Sequence, residues 1–152
     1  EDVAAFEAWK KSNVIAQKQA GYVAIGIKVA LGDFYTDKAR ALAHLIKNYG
    51  ANELRFTLRQ DILIRYIKEE NLPFFYQELA KLDFVTLGYN TINDVTACPG
   101  TDTCNLGIAS STGIAVELER VLATEYPQYS NNQEITIKIR FIINFSLSSH
   151  CG

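Results

Sequence analysis

The alternation of apolar residues between Tyr22 and Leu31 is the strongest constraint on how this chain can fold. Every second residue of this segment is aliphatic: Val23, Ile25, Ile27, Val29 and Leu31. A period of two places these side chains on one face of a β-strand. The segment therefore predicts a sheet with one strongly buried face, which helices elsewhere in the chain must cover.

The next segments alternate between helical and strand periodicity. A helix is expected from near Thr36 to Gly50, with apolar residues at helical spacing, and residues 54–59 and 62–67 have strand patterns. A second helix is expected from Pro73 to Leu82. The order β-α-β-β-α predicts an α+β fold with a ferredoxin-like half-domain, in which both helices cover the Ile25 face.

The pattern changes after residue 83. A mixed stretch rich in Gly and Asn leads to a helix that begins near Thr112, and residues 135–139 alternate as a further strand. We therefore expect two units: residues 1–83 as the half-domain, and residues 84–152 as part of an α/β domain.

Composition restricts the class of protein. Apolar residues make up 48% of the 152 residues and charged residues 21%, values typical of a soluble globular protein. The net charge of −2 and the scattered basic residues argue against nucleic-acid binding, and no apolar run is long enough to span a membrane. The three cysteines favour a reducing, cytoplasmic compartment. Because the chain starts at Glu1 and contains no Met, we expect it to be a piece of a longer protein or a processed one.

Cys98 and Cys104 are separated by five residues, and Pro99 and Gly100 break regular structure between them. This loop precedes the predicted helix at Thr112, so it presents two thiols near a helix start, where backbone N–H groups favour the thiolate. Thiolates bind iron–sulfur clusters. The spacing alone is equally compatible with a reducible disulfide, half of a zinc site or two inert buried thiols.

Residues Arg55, Thr57 and Arg59 alternate with apolar residues and are predicted to share one strand face. Two guanidinium groups at this spacing form a suitable clamp for carboxylates, since each offers a planar fork of donors. The alternative is the solvated face of an amphipathic strand.

Two motifs resemble those of the siroheme-dependent nitrite and sulfite reductases. The run from Thr96 to Thr112 is similar to the Cys-x5-Cys loop of that family, whose second pair lies in a Gly-Cys-Pro-Asn turn. Together the four thiolates hold a 4Fe–4S cluster, and one of them bridges to the siroheme iron. Arg55, Thr57 and Gln60 match the family signature Arg-x-Thr-x-x-Gln, which lies against the siroheme carboxylates, and Arg59 matches a position that is often basic.

The order of these motifs resembles the second ferredoxin-like half of that family followed by the start of its 4Fe–4S and siroheme-binding domain. The resemblance implies reduction of nitrite to ammonia or of sulfite to sulfide, with electrons from a donor protein. It implies Cys98 and Cys104 as cluster ligands. It also implies siroheme contacts from Arg55, Thr57, Arg59 and Gln60. No catalytic residue is assigned, because the basic residues nearest the substrate come mostly from the first half, which is missing here.

The sequence departs from the family after Ile139. The second cysteine pair is absent, and Ile142 stands where the third cysteine would fall. This chain alone therefore cannot supply four thiolates, and we expect it to be colourless, inactive and prone to self-association. The alternative reading is a non-catalytic ferredoxin-like module with a structural or redox-active cysteine pair.

Overall fold

The computed structural model describes residues 3–50 and 53–141. Its first part alternates helices and strands: α1 (Val3–Asn13), β1 (Val14–Ala16), β2 (Tyr22–Ile27), α2 (Thr36–Tyr49), β3 (Leu54–Phe56), β4 (Ile62–Lys68) and α3 (Leu72–Lys81). Its second part, residues 84–141, is here called the C-terminal segment. It contains β5 (Thr96–Ala97), α4 (Ser111–Glu125) and β6 (Lys138–Ile139).

The first four strands form one antiparallel sheet in the order β1-β2-β4-β3. The two central strands pair most extensively, with Ile25 opposite Ile64 and Gly26 opposite Leu63. From β2 onward the element order is the predicted β-α-β-β-α. The prediction of an α+β fold with a ferredoxin-like half-domain is confirmed, and α1 and β1 extend it at the amino-terminal side.

The main core lies between this sheet and α2 and α3. The aliphatic face of β2 and β4 packs against residues at helical spacing in both helices, which include Leu42, Leu45, Ile46, Phe75 and Leu79. Trp9 of α1 is fully buried in the same core. Burial of so much apolar surface is the main force that stabilises this layer.

The second face of β2 is also covered, which the alternation did not predict. Tyr89 lies over Gly26 so closely that a Cβ atom there would come within 2.3 Å of its ring. The side-chain amide of Asn13 donates to the carbonyls of Gly26 (3.0 Å) and Thr86 (2.9 Å). The C-terminal segment thus packs on the face of the sheet opposite the helices.

Several predicted strand lengths are wrong. Strand β2 ends at Ile27, and Ala30–Gly32 is a short 3-10 turn. Strand β3 ends at Phe56, so the predicted strand over residues 57–59 is a turn instead. Of the predicted strand over residues 135–139, only Lys138–Ile139 pairs, parallel to β5.

A small second core forms around β5, β6 and α4, with Val95, Ala97 and Ala115 buried in it. None of the helices over residues 3–50 and 53–141 combines the length and the apolar character needed to cross a membrane. The positions of Ile142 and Cys151 lie outside the described residues.

Candidate functional site

The signature residues Arg55, Thr57, Arg59 and Gln60 lie at the end of β3 and in the turn that follows it. The Thr57 hydroxyl accepts hydrogen bonds from the backbone N–H groups of Arg59 and Asp61, both at 3.2 Å. Gln60 has a φ of 69°, the left-handed conformation that closes tight turns. A threonine side chain here competes with the strand ladder for backbone partners, which explains why the strand stops at Phe56.

The two arginines point to different surroundings. Arg55 is exposed and pairs with Glu53 at 2.8 Å. The Arg59 guanidinium donates to the Thr91 carbonyl (2.9 Å) and to the Thr136 hydroxyl (2.6 Å), both in the C-terminal segment. The prediction that Arg55 and Arg59 share one strand face is therefore wrong, because the chain turns between them.

Gln60 connects the two motifs that the sequence left apart. Its side-chain amide donates to the backbone carbonyl of Ala97 at 3.1 Å, across 37 residues of sequence. Ala97 is the last residue of β5 and directly precedes Cys98. The signature turn is thus anchored at the entrance of the cysteine loop.

The loop that carries Cys98 and Cys104 is compact and held by backbone hydrogen bonds, both to β6 and within the loop. The Cys98 N–H donates to the Ile139 carbonyl (3.1 Å), and the Cys104 N–H donates to the Gly100 carbonyl (2.9 Å). A Cβ atom at Gly100 or Gly107 would come within 2.6 Å of a backbone atom, so both positions require glycine. This tight packing holds both half-buried free thiols on one short loop.

The Cys98 thiol lies beside the first residue of α4. Its Sγ is 3.1 Å from the Ser111 hydroxyl. This hydrogen bond holds the pKa of Cys98 below its ordinary value, with smaller contributions from backbone N–H groups and from the charge of Arg140. The predicted placement of a thiol at a helix start is thus present in the structure.

These thiols fit half of a cluster site. A 4Fe–4S cluster takes four thiolates, and the loop offers two with a compact backbone around them. Across residues 3–50 and 53–141, no group of three or more His, Cys, Asp or Glu side chains is placed to hold a metal ion. Any further ligand must come from outside the described residues.

A comparison with known families matches residues 15–82 to the family described as the nitrite/sulfite reductase ferredoxin-like half domain. Residues 15–82 are therefore a half domain of the nitrite/sulfite reductase family. This half domain contains the whole sheet except Val14, together with α2, the signature turn and α3.

Similar proteins support the same family. The ferredoxin–nitrite reductase of Synechococcus elongatus is 27% identical over 120 residues, which cover 77% of this chain and 23% of that protein. The chloroplastic ferredoxin–nitrite reductase of Betula pendula is 29% identical over 127 residues, 78% of this chain and 22% of that protein. The structure of the Mycobacterium tuberculosis NirA protein superposes with a TM-score of 0.62 at 25% identity, over 84% of this chain and 24% of that one. The chain thus spans about a quarter of the length of these relatives.

The half domain is joined to the C-terminal segment by a mostly buried ion pair. Lys28 Nζ lies 2.9 Å from a Glu119 carboxylate oxygen and also donates to the Asn93 carbonyl. The other Glu119 oxygen accepts from the Val95 N–H at 3.0 Å. One carboxylate of α4 therefore fixes both the residue that follows β2 and the residue that precedes β5.

Sequence reasoning missed the polar residues that join the two parts, which are Lys28, Asp61, Asp94 and Glu119, and it missed Ser111 beside Cys98. Lys28 interrupts an otherwise apolar segment, and that interruption is the one signal in the sequence that pointed to a buried partner. The others have no local pattern, since their partners lie far away along the chain.

Proposed function

We propose that this chain is the second ferredoxin-like half and the start of the 4Fe–4S and siroheme-binding domain of a nitrite or sulfite reductase. Its two units would be residues 1–83 and 84–152. The observation that carries the proposal is the hydrogen bond from Gln60 to Ala97, which joins the siroheme signature to the cysteine loop. Two motifs with independent cofactor roles in the family meet here, whereas a chance match to either would not require their contact.

The residues that would hold the cofactors fit this proposal to different degrees. Cys98 and Cys104 would supply two thiolates, and the lowered pKa of Cys98 favours the form that binds iron. Arg55 is exposed and able to reach a carboxylate, whereas Arg59 and Gln60 already hold the C-terminal segment. Thr57 shapes the turn through its hydroxyl. Arg59, Gln60 and Thr57 would therefore act on siroheme mainly by fixing the turn.

The bound cofactors would supply electron transfer and the metal centre at which nitrite or sulfite is reduced. The residues of this chain would bind, orient and shield them. The proposed partners are a ferredoxin-type electron donor, by analogy with the ferredoxin–nitrite reductases, and the first half of the enzyme. Phe56 and Leu58, 73% and 92% exposed, would drive self-association of the chain alone.

We propose the cytoplasm as the compartment, as the three cysteines predict. The plant relatives are named chloroplastic, so an organelle is the competing location. Imaging of the tagged protein in its own cells separates the two.

Anaerobic reconstitution with iron and sulfide tests the cofactor proposal. The 152-residue chain should fail to hold a stoichiometric 4Fe–4S cluster as a monomer, because its three cysteines cannot supply the four thiolates. A longer polypeptide that adds the first half and a second cysteine pair should hold both cluster and siroheme, and Cys98→Ser or Cys104→Ser should abolish cluster retention. A stable, stoichiometric cluster in the monomeric 152-residue chain would contradict the assignment of ligands.

The competing function is a non-catalytic module with a redox-active Cys98–Cys104 pair, and the presence of both thiols on one closed loop favours it. Mild oxidation would then form an intramolecular disulfide, seen as the loss of two hydrogens in the intact mass. Its reduction potential, measured against glutathione, would decide whether the pair is poised for exchange. A longer polypeptide that holds siroheme would exclude this alternative.

A further inference from the structure

Asp61 is a fully buried carboxylate that neither motif requires. It directly follows the signature turn, and one of its oxygens accepts a hydrogen bond from the Val29 N–H at 2.8 Å. Within the described residues, its other oxygen, Oδ2, is buried and has no N–H or O–H donor. A buried carboxylate oxygen without a donor is costly, so the chain must satisfy it in another way.

The group that faces Asp61 is a second carboxyl, that of Asp94. Asp94 is 3% exposed, and its carboxyl is the side chain that interacts most strongly with that of Asp61. One Asp94 oxygen already accepts from the Asn90 N–H at 2.8 Å. Ionised carboxylates are acceptors only, so a hydrogen bond between two of them requires that one carries a proton.

The charges around the pair balance when it holds one proton. Lys28 approaches from the end of β2 and is paired with Glu119 of α4. The Arg59 guanidinium lies next to Asp94, because it donates to the Thr91 carbonyl that also accepts from the Asp94 N–H. Tyr89 packs beside the pair from the C-terminal segment. With one shared proton, two cations meet two anions, and loss of that proton leaves an uncompensated negative charge in a buried site.

We propose that Asp61 and Asp94 share one proton in the folded chain and act as a positioning pair that holds the signature turn on the C-terminal segment. The Asp61 N–H donates to the Thr57 hydroxyl, and the Asp94 N–H donates to the same Thr91 carbonyl that Arg59 contacts. The pair therefore sits between the turn and the residues that lead to Cys98. A role of this pair in cofactor binding rests on the proposed function, whereas the shared proton itself does not depend on it.

The direction of the pKa shift of Asp61 is consistent with a shared proton. Burial, followed by the hydrogen bond and the charge of Asp94, raises the pKa of Asp61 from 3.8 to about 8. The Val29 N–H and Lys28 oppose that rise without cancelling it. Burial and the same two carboxyl groups also raise the pKa of Tyr89 to about 12, so the phenol stays protonated alongside them.

The sign of the resulting pH dependence follows from proton counting. Between pH 3.8 and about 8 the folded chain holds a proton that the unfolded chain has released. The contribution of this pair to the free energy of unfolding is fully present below that pH range. It decreases as the pH rises through the range and does not change further above it. One proton of difference changes the unfolding equilibrium constant by about tenfold for each pH unit.

Carboxyl-carbon NMR of the aspartate-labelled 152-residue chain reads the proton directly. One aspartate carboxyl of the wild-type chain should titrate well above pH 6, and this signal should be absent in both Asp61→Asn and Asp94→Asn. The amides of Gln60 and Ala97 should shift with the same midpoint, because the pair holds their contact. A spectrum in which every aspartate titrates below pH 5 would overturn the shared proton, and a high titration that leaves both amides unmoved would overturn the positioning role.

Urea unfolding at several pH values between 5 and 7 gives the second readout. In the Asp94→Asn variant, the amide can donate to Asp61 without a titrating proton. The unfolding equilibrium constant of this variant should therefore change with pH by about tenfold less per pH unit than that of the wild-type chain. Asp83→Asn is the matched control, since that carboxylate is 89% exposed and should keep the wild-type slope. Asp94→Ala supplies no donor and should lower stability at every pH, whereas Asp94→Asn should retain most of it. Equal slopes in all variants would overturn the proposal, and since no cofactor is involved, that result would leave the proposed function untouched.

Discussion

Replacement of Glu119 by alanine is the sharpest test of how the C-terminal segment is held on the half domain. The Glu119 carboxylate accepts from Lys28 Nζ at 2.9 Å and from the Val95 N–H at 3.0 Å. Lys28 is only 8% exposed, so its buried ammonium group needs a counter-charge, which Glu119 supplies. Glu119→Ala removes both contacts in a single change.

The magnitude follows from the two contacts. A charge-assisted hydrogen bond contributes about 1.5–3 kcal/mol, and a buried N–H left without an acceptor costs about 1–3 kcal/mol. Because the Glu119 side chain is 28% exposed, water can enter the vacated space and recover part of this loss. We therefore expect about 3 kcal/mol, roughly a hundredfold in the equilibrium between docked and undocked α4.

Amide hydrogen exchange over α4 measures that equilibrium, with Glu117→Ala as the matched control on the same helix. Among the described residues, Glu117 pairs only with Arg120, and both side chains are more than half exposed, so no measurable change is expected. The two substitutions have the same effect on helix propensity, which leaves the ion pair as the difference between them. Equal exchange rates in the two variants would refute the conclusion that Glu119 anchors the segment.

Three further predictions concern other contacts. Gly26→Ala should cost about 1–3 kcal/mol in urea unfolding, because its Cβ would lie within 2.3 Å of the Tyr89 ring, and an unchanged midpoint would contradict that packing. Ser111→Ala should raise the pKa of Cys98 toward its ordinary value and slow its alkylation at pH 7, measured at that site by mass spectrometry, since less thiolate is present. In the full enzyme that we propose, Arg55→Ala should weaken siroheme retention by about 1.5–3 kcal/mol, and full siroheme occupancy would contradict a contact at that position.

The regular elements were predictable because their apolar periodicity is strong. The alternation in β2 and β4 and the helical spacing in α2 and α3 place the core residues correctly without any knowledge of the partners. A side chain that recurs on one face must be buried on that face, whatever covers it.

Prediction failed where local side-chain chemistry opposed the periodicity. Residues 54–59 alternate as a strand should, yet the Thr57 hydroxyl captures two backbone N–H groups and turns the chain after Phe56. Leu58, which the pattern placed on an apolar face, is consequently 92% exposed. The alternation of apolar residues alone does not show whether side-chain hydrogen bonds or continued strand pairing will be the more stable arrangement.

The sequence by itself determined the half domain, the signature residues and the two thiols, because each depends on residues close together in the chain. Only the tertiary structure decided that Gln60 meets Ala97 and that Asp61 faces Asp94. It also decided that Arg59 is occupied by the C-terminal segment while Arg55 stays exposed. The physical reason is that burial and electrostatics depend on what packs above a residue, and in this protein the covering residues lie far along the chain.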